Sequence, residues 1–383
     1  MAAILAIHAS PAQLGILAAL ARGPGIVVGL FAGGFVDRTS RRRVMIASDL
    51  ARVALILTVP VAAWWGVLGM MQLYVVAGLA GAAGVLFDIA DHAFLPSLID
   101  RADLVDGNAK LSVTDSTAEI AGPAMAGVLF QLLTAPFAML VTAVTYFVSA
   151  CFLFAIPATE TRPPKSRTPW WRDAGEGLRA ILSEPLMRPT LWLTLTSTFF
   201  GAFFWPLYLM YGLKVIGLSP SLMGVNIAMG GVGALCASAL STLLCRRFGV
   251  GRAVLTGYFG YSAALLLVPL AQGPLWLATS MLMVAQFFGD AFAVAFLIPL
   301  TSLRQAVLPP GLLGRTQGLF GAVAGAMTVL GALTGGFLGG WLGPRETLAM
   351  AVAGQGACGL FLVFSPVRRL RDIPLKSTDR EPK

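Results

Sequence analysis

The chain has 383 residues, of which 57% are hydrophobic and 12% are charged, and its formal net charge is +9. A soluble domain carries roughly 25% charged residues, so this chain has too little polar surface for a water-soluble globule. Basic residues of polytopic membrane proteins collect in cytoplasmic loops, so the positive charge does not call for a nucleic-acid partner. The composition therefore predicts an all-α, multi-pass membrane protein.

The sequence also argues against several kinds of chemistry. Its four cysteines lie in or at the ends of apolar runs without CxxC spacing, which predicts neither a disulfide framework nor a metal site. It contains no G-x-x-x-x-G-K-[ST] phosphate loop, so an ATP-driven pump is disfavoured. An enzyme is the least favoured class because no nucleophile–base pair is evident. We expect no metal and no cofactor.

Apolar runs long enough to cross a bilayer, which takes about 20 helical residues, occur eleven times along the chain. The first stretch, "MAAILAIHAS", is shorter and resembles the last two turns of a helix whose beginning is absent. With that helix there would be twelve spans, six in each half. The eleven predicted spans cover residues 12–36, 44–65, 71–100, 109–133, 135–157, 189–213, 220–245, 251–270, 274–304, 314–340 and 343–364.

Basic residues predict the orientation of these spans. If the loop at 37–43 is cytoplasmic and the spans alternate, most of the 27 Lys and Arg residues fall on the cytoplasmic side. We therefore expect a protein of the cell (inner) membrane with a cytoplasmic C-terminus.

The longest hydrophilic segment divides the spans into two groups. We predict an N-terminal helix bundle over 1–157 and a cytoplasmic linker over 158–188, in which "RDAGEGLRAILSEPLMR" forms a short surface helix. A C-terminal helix bundle over 189–365 and a cytoplasmic tail over 366–383 complete the chain.

A short internal repeat supports the two halves. "DIADHAFLPSLIDR" (Asp88 to Arg101) matches "DAFAVAFLIPLTSLR" (Asp290 to Arg304) in its acid, its Ala-Phe-Leu, its proline and its arginine. Two halves related by an axis along the membrane normal produce such a match. The spacing places both acids near the middle of the membrane, where a carboxylate costs about 3 kcal/mol and is a functional candidate by default.

Five ionisable residues within the predicted spans are candidates for coupling or substrate binding. Asp290 would carry the coupling proton or bind a cationic substrate, or it forms a structural pair with a residue such as Arg22. Arg22 would counter Asp290 or attract an anionic substrate. Asp88 and His92 share a helix face and form either a proton relay or a local packing pair. Glu119 belongs to the coupling path or to a buried polar network.

The loop "GGFVDRTSRRR" (33–43) resembles the signature G-x-x-x-D-R-x-G-R-R of the major facilitator superfamily. Ser40 stands where glycine is usual. The resemblance implies a conformational latch between the halves, in which the Asp37 carboxylate docks on the N-terminus of the helix that starts near Leu312. The alternative is a set of charges at a helix end that only fixes topology. The matching residues are Gly33, Asp37, Arg38, Arg41 and Arg42.

A second motif, "AGPAMAG" (121–127), is similar to the antiporter signature G-P-x-x-G-G. Gly122, Pro123 and Gly127 match, and Ala126 replaces one glycine. The segments "FDIADHAFLPSL", "DGNAKL" and "SLRQAVLPPGLLGRTQG" resemble the drug-exporter branch that includes macrolide efflux proteins and the enterobactin exporter.

The resemblance implies a major facilitator fold, with two six-helix bundles around a central cavity, working by alternating access. It favours a secondary transporter that exports small amphipathic molecules in exchange for protons. Its partners would be a small-molecule substrate, protons and the lipid bilayer, and we expect a monomer. The alternatives are a nutrient importer or uniporter of the same fold, and a degenerate, non-transporting membrane protein that lacks helix one.

Overall fold

The computed structural model describes residues 2–36, 39–98, 104–156, 170–308 and 312–372. Within these ranges the regular structure is entirely helical, as predicted. The first part of the chain forms α1 (Ala2–Leu5), α2 (Pro11–Val36), α3 (Arg41–Trp64), α4 (Met70–Leu98), α5 (Leu104–Leu132) and α6 (Ala135–Ala155).

The second part begins with α7 (Trp170–Ser183), which is the helix predicted in the linker. It continues with α8 (Met187–Met210), a π-helical turn (Tyr211–Ile216), α9 (Pro220–Phe248), α10 (Val250–Leu270), α11 (Leu275–Val307), α12 (Leu313–Leu342), α13 (Pro344–Cys358), α14 (Leu360–Val363) and a 3-10 turn (Pro366–Arg369).

In the described part of the chain, nine helical segments are long and apolar enough to cross a membrane. The other two predicted spans form α2 and α5, which are helices of 26 and 29 residues. α5 carries Lys110, Asp115 and Glu119, which lower its mean hydropathy. The last predicted span is one apolar stretch built from two helices, α13 and α14.

Local sequence signals explain where several helices begin. The Ser10 Oγ accepts from the Gln13 N–H at 3.3 Å, and the Ser10 N–H donates to Gln13 Oε1 at 2.8 Å, which is a capping box at the start of α2. Ser219 caps α9 through the Leu222 N–H, and Pro220 occupies the first helical position. These polar residues therefore determine where the apolar helices begin.

The helices pack as two groups that meet along two seams. α3 packs against α4 and α6, and α2 packs against α4. In the second group α8 packs against α12 and α13, while α9 and α10 pack against α11. The groups meet where α5 lies on α9, which we call the α5–α9 seam, and where α2 lies on α12, which we call the α2–α12 seam.

Glycines bring the helix backbones together in both seams. A Cβ at Gly127 would lie 2.9 Å from the Cα of Gly224, and a Cβ at Gly15 would lie 2.8 Å from the Cα of Gly336. Small residues allow such close approach between helices in lipid. Gly127 and Gly336 lie near the C-terminal ends of α5 and α12, and Gly15 and Gly224 lie near the N-terminal ends of α2 and α9. Both contacts therefore lie toward the side opposite the 37–43 loop.

Exposed tryptophans mark the same side. Trp64 is 78% exposed, Trp276 is 70% exposed and Trp341 is 78% exposed. They lie at the end of α3, the start of α11 and the end of α12, and so at one level of the bundle. Tryptophans are enriched at membrane–water interfaces, so this ring indicates where the bilayer surface meets the protein.

Candidate substrate cavity and coupling residues

A cavity of about 1230 Å³ lies between the two helix groups. Its wall is mostly apolar and includes side chains of α2, α4, α8, α11 and α12, with Trp205, Tyr261 and Phe296 among its aromatic residues. Arg22, near the middle of α2, is the single charged residue among those that line it in the described part of the chain. The cavity can therefore hold a molecule with a large apolar surface and an anionic group.

The aromatic stretch of α8 divides between this cavity and the protein core. Trp205 and Pro206 line the cavity. Phe204 and Tyr208 are buried one turn apart, with their rings stacked at 5.0 Å between centroids. One face of this helix thus lines the cavity, and another packs in the core.

Asp290 lies midway along α11 and outside the cavity wall, packed against the backbone of α9. A Cβ at Gly230 would overlap its Oδ2 atom, so the carboxylate occupies the space that a larger residue at that position would fill. Its charge interacts with the carboxylate of Glu119, midway along α5, and with the phenol groups of Tyr208 and Tyr261. The structure thus brings two of the predicted residues, Asp290 and Glu119, into one electrostatic neighbourhood.

The other predicted residues lie apart from this neighbourhood. Arg22 and Asp290 are both described, and no ion pair joins them, so the structural alternative proposed for that pair is absent from this conformation. Asp88 is exposed on α4. The side chain of His92 lies outside the described part of the structure, so its relay with Asp88 stays a prediction. Asp88 and Asp290 match in the repeat but differ in burial.

A buried ion pair in the first helix group was not predicted. Asp49 and Arg52 lie on successive turns of α3, and Arg52 Nη2 is 2.7 Å from Asp49 Oδ1. The Ser149 hydroxyl donates to Asp49 Oδ2 at 2.6 Å, and Arg52 Cζ lies 4.3 Å from the ring centroid of Tyr146 and 4.6 Å from that of Phe87. This cluster ties α3 to α4 and α6. The i, i+3 spacing of an acid and an arginine within an apolar run was the signal that could have revealed it.

Three buried polar residues near Asp290 were also missed. Asn226, Gln286 and Tyr208 each have a buried side-chain polar atom with no hydrogen-bond partner in the described structure. The available signal was an amide within an apolar span, repeated on α9 and α11, with Gln286 one turn before Asp290.

The chain matches the family model of the Major Facilitator Superfamily over residues 1–281. It belongs to this superfamily. It is 28% identical to the uncharacterized MFS-type transporter YfiS of Bacillus subtilis (strain 168), in an alignment that covers 94% of this chain and 84% of that protein. It is also 28% identical to the multidrug efflux pump Tap of Mycolicibacterium fortuitum, over 98% of this chain and 91% of that pump.

Solved transporters share the fold. A bacterial homologue of the iron transporter ferroportin in its inward-facing state superposes with a TM-score of 0.74 at 17% identity, covering 94% of this chain and 91% of that structure. The nucleoside transporter NupG superposes with a TM-score of 0.72 at 11% identity, covering 94% and 92%. The predicted major facilitator fold is therefore confirmed, and the protein is a polytopic membrane transporter.

The signature loop of the superfamily is anchored within the first helix group. Ser40, which stands where glycine is usual, caps α3 by accepting from the Arg43 N–H. Arg42 Nε donates to the Leu153 carbonyl at 2.6 Å, and its Nη2 donates to the Phe154 carbonyl. These carbonyls belong to the last turn of α6, where a cation is favoured.

The latch itself stays a prediction. Asp37 and Arg38 lie outside the described residues, and the surroundings of Gly33 within α2 are not described either. Arg41 is the first residue of α3. Arg42 connects two helices of one half in this conformation.

The antiporter signature lies on α5, partly in the α5–α9 seam. A Cβ at Gly127 would overlap the Pro220 carbonyl, and a Cβ at Gly224 would overlap the Pro123 carbonyl. A Cβ at Gly122 would meet nothing within 4 Å. Pro123 and Gly127 thus form the contact between the halves, and Gly122 does not.

Metal ligation was not expected from the sequence. Across the described ranges, no group of three or more His, Cys, Asp or Glu side chains is placed to hold a metal ion. The expectation of no cofactor stays a prediction.

Proposed function

We propose that this protein is a proton-coupled exporter of small amphipathic molecules in the cell membrane, acting as a monomer with a cytoplasmic C-terminus. The observation that carries the proposal is the cavity of about 1230 Å³ between the halves, with its apolar wall and single charge. Ligand sites of 300–1,000 Å³ accommodate drug-sized molecules, so the size suits such a cargo. The efflux pump Tap supports export as the direction.

The charge in the cavity indicates which amphipathic molecules are favoured. The Arg22 guanidinium projects from an apolar wall that offers no carboxylate among the described lining residues. A charge-assisted hydrogen bond from a guanidinium to a carboxylate is stronger than a neutral one, and more so away from water. The preferred substrate is an amphipathic anion, and a metal cation is disfavoured there.

Asp290 is our choice for the coupling residue. It lies midway along α11, and the carboxylate that interacts with it, Glu119, comes from the opposite helix group. Protonation from the side opposite the 37–43 loop removes a charge from this position. Neutralisation also ends the repulsion between Asp290 and Glu119, so it favours a change in how the halves meet.

The described conformation corresponds to one end of the transport cycle. With the 37–43 loop on the cytoplasmic side, the two glycine seams close the cavity toward the outside. Export then requires these seams to open after substrate enters from the cytoplasm, and the Asp37 latch is proposed to hold the cytoplasmic side in the alternate state. Asp88 and His92 are proposed as a secondary proton relay on α4.

The test compares Asp290→Asn with Asp88→Asn in proteoliposomes that contain a fluorescent amphipathic carboxylate. We expect an imposed pH gradient to drive uphill transport by the wild type, and by Asp88→Asn at a reduced rate, because the relay role of Asp88 is secondary. Asp290→Asn should lose gradient-driven transport at least tenfold while retaining exchange of labelled for unlabelled substrate.

Two outcomes would overturn the proposal. Full gradient-driven transport by Asp290→Asn would exclude this residue from coupling. Wild-type transport that runs only down the substrate gradient, at any pH gradient, would instead support an importer or uniporter of the same fold.

A further inference from the structure

Three buried polar residues and the half-buried Asp290 make up a group that we call the α9–α11 polar cluster: Tyr208, Asn226, Gln286 and Asp290. Gln286 and Asp290 lie one turn apart on α11 and so share a helix face. A Cβ at Gly230 would overlap Asp290 Oδ2 and lie 3.3 Å from Gln286 Nε2, so both side chains rest against α9 at this glycine. Asn226 lies one turn before Gly230 on α9.

The cluster contains more unpartnered polar atoms than a packed helix interface normally holds. Asn226 is 0% exposed, and neither its Oδ1 nor its Nδ2 has a hydrogen-bond partner in the described structure. The Gln286 Nε2 and the Tyr208 hydroxyl are also buried without a partner there, and these residues are 3% and 0% exposed. Buried polar atoms in native proteins are nearly always paired, with protein groups or ordered water, so this concentration indicates a bound ion or water molecule.

The charges around the cluster also indicate that it binds another species. Asp290 forms no ion pair with a Lys, Arg or His of the described residues. The carboxylate of Glu119 on α5 repels it, the neutral phenols of Tyr208 on α8 and Tyr261 on α10 lie within range of its charge, and α9 contributes the neutral residues Asn226 and Gly230. A carboxylate in mid-membrane normally pairs with a positive charge or faces water.

We propose that the α9–α11 polar cluster binds a monovalent inorganic cation, either Na⁺ or a proton carried by a water molecule. The cluster offers a carboxylate, two amide oxygens and a phenol oxygen, and oxygen is the ligand that hard cations prefer. Amide orientation is set by the partner, so Asn226 and Gln286 can turn their oxygens inward. Glu119 is exposed on α5 and outside the cluster, so the cluster itself contributes one carboxylate, which balances one positive charge and favours a monovalent cation over a divalent one.

The position of the cluster connects it to transport. Tyr261 lines the substrate cavity, and its phenol interacts electrostatically with Asp290. The cation site thus lies directly behind the cavity wall. Its role as the coupling-ion site rests on the proposed function, whereas cation binding itself does not require a substrate.

The experiment measures the thermal unfolding midpoint of the purified full-length protein in detergent, without substrate. NaCl is titrated against choline chloride at constant ionic strength near pH 8.5, and pH is then varied from about 5 to 8.5 without Na⁺. The variants are Gly230→Ala, which fills the space beside Asp290, and Asn226→Leu, which removes a ligand. Gly289→Ala is the matched control, because its Cβ would meet only Leu265 Cδ2, at 3.8 Å.

Each source of the cation gives a distinct result. A midpoint that rises with Na⁺ in the wild type and Gly289→Ala, but not in the two cluster variants, identifies Na⁺. A midpoint that does not respond to Na⁺ but rises as pH falls, again only in the wild type and Gly289→Ala, identifies the proton. Direct binding of radioactive Na⁺ to the wild type, with a stoichiometry near one, distinguishes the sources even where a cluster variant does not fold.

The inference is overturned if the wild type responds to neither cation, or if both cluster variants respond as Gly289→Ala does. If only the proposed function is wrong, the protein would still bind the cation, but ion gradients would not drive its transport.

Discussion

In the first helix group, Asp49 is 1% exposed, and Arg52 one turn later holds it at 2.7 Å while Ser149 donates to its second oxygen. In the second group, Asp290 packs against Gly230, is repelled by the Glu119 carboxylate and has no described ion pair. Both groups contain a carboxylate within an apolar helix, buried in Asp49 and half-buried in Asp290. In the first group, an arginine of the same helix neutralises the carboxylate. In the second group, no described residue does so, and the proposed bound cation would supply the positive charge.

This difference suggests that the two halves have different roles in the protein. A carboxylate with a permanent counter-charge and hydrogen bonds from two neighbouring residues holds helices together. A carboxylate without one changes its electrostatic energy strongly when a cation binds or leaves. The described conformation thus favours the first half as the scaffold and the second half as the site of coupling.

The largest expected effect comes from removing the counter-charge in the first half. Arg52→Met should destabilise the protein by roughly 3–5 kcal/mol, because it leaves Asp49 buried and unpaired. The double variant Asp49→Leu/Arg52→Met should recover much of this loss. Unfolding midpoints and monodispersity in detergent measure both.

Two controls sharpen this first test. Arg22→Met removes an arginine that has no ion-pair partner in the described structure, and Asp290→Asn removes an acid that has none, so neither should lower stability comparably. If Arg52→Met were as stable as the wild type, the proposed scaffold role of the pair would be wrong.

The next largest effect is expected at the α5–α9 seam, where the halves meet. Gly127→Val should cost about 1–3 kcal/mol in the conformation described here, because the new side chain would overlap the backbone of α9. The population should shift away from the state in which this seam is closed. Maleimide labelling of Thr328→Cys, which lines the cavity, measures the shift in a background without the four native cysteines.

Gly122→Val is the matched control within the same motif, since a Cβ there meets nothing within 4 Å. Equal labelling rates in the two glycine variants would argue that the seam does not control access to the cavity.

A smaller effect is expected for the cavity charge contributed by the first half. Arg22→Gln should raise the KM for an amphipathic carboxylate about tenfold, which corresponds to about 1.4 kcal/mol, and leave the KM of its neutral amide analogue nearly unchanged. Transport of the two analogues in proteoliposomes checks this. Thr328→Val alters a neutral lining residue and should not change the ratio between them. An unchanged ratio in Arg22→Gln would remove the case for an anionic substrate.

The smallest effect is expected at the start of α3. Arg42→Gln should reduce stability by about 0.5–1 kcal/mol, because it removes a cation that donates to the last carbonyls of α6. Arg43→Gln, an exposed neighbour, is the control. A thermal midpoint that falls only in Arg42→Gln supports a role within the first half. A loss of transport without a stability change would instead favour the latch role predicted from the signature loop.

Several features followed directly from residue order. Apolar runs of membrane-spanning length produced the helices with small errors at their ends, because in lipid each helix must satisfy its own backbone hydrogen bonds. Ser219 lies immediately before Pro220 and an apolar run, Ser40 lies before the three arginines that open α3, and each serine caps the helix that follows. The repeat correctly placed Asp88 and Asp290 on two long helices, α4 and α11.

Contacts between helices could not be predicted from residue order in the same way. Asp49 and Asp290 are each single acids in apolar helices, and only the neighbouring helices distinguish the paired one from the unpaired one. The meeting of Glu119 with Asp290, and of Gln286 with the backbone at Gly230, depends on how helices distant in sequence rotate and approach.

The sequence by itself determined the membrane class, the helices, the family motifs and the residues that would be costly in lipid, because these depend on local composition and spacing. Only the tertiary structure decided which of those residues share a space: Arg22 alone among the charges of the described cavity wall, Asp49 neutralised by Arg52, and Asp290 beside three polar residues without partners. The physical reason is that the energy of a buried charge depends on what surrounds it, and here the surroundings come from other helices.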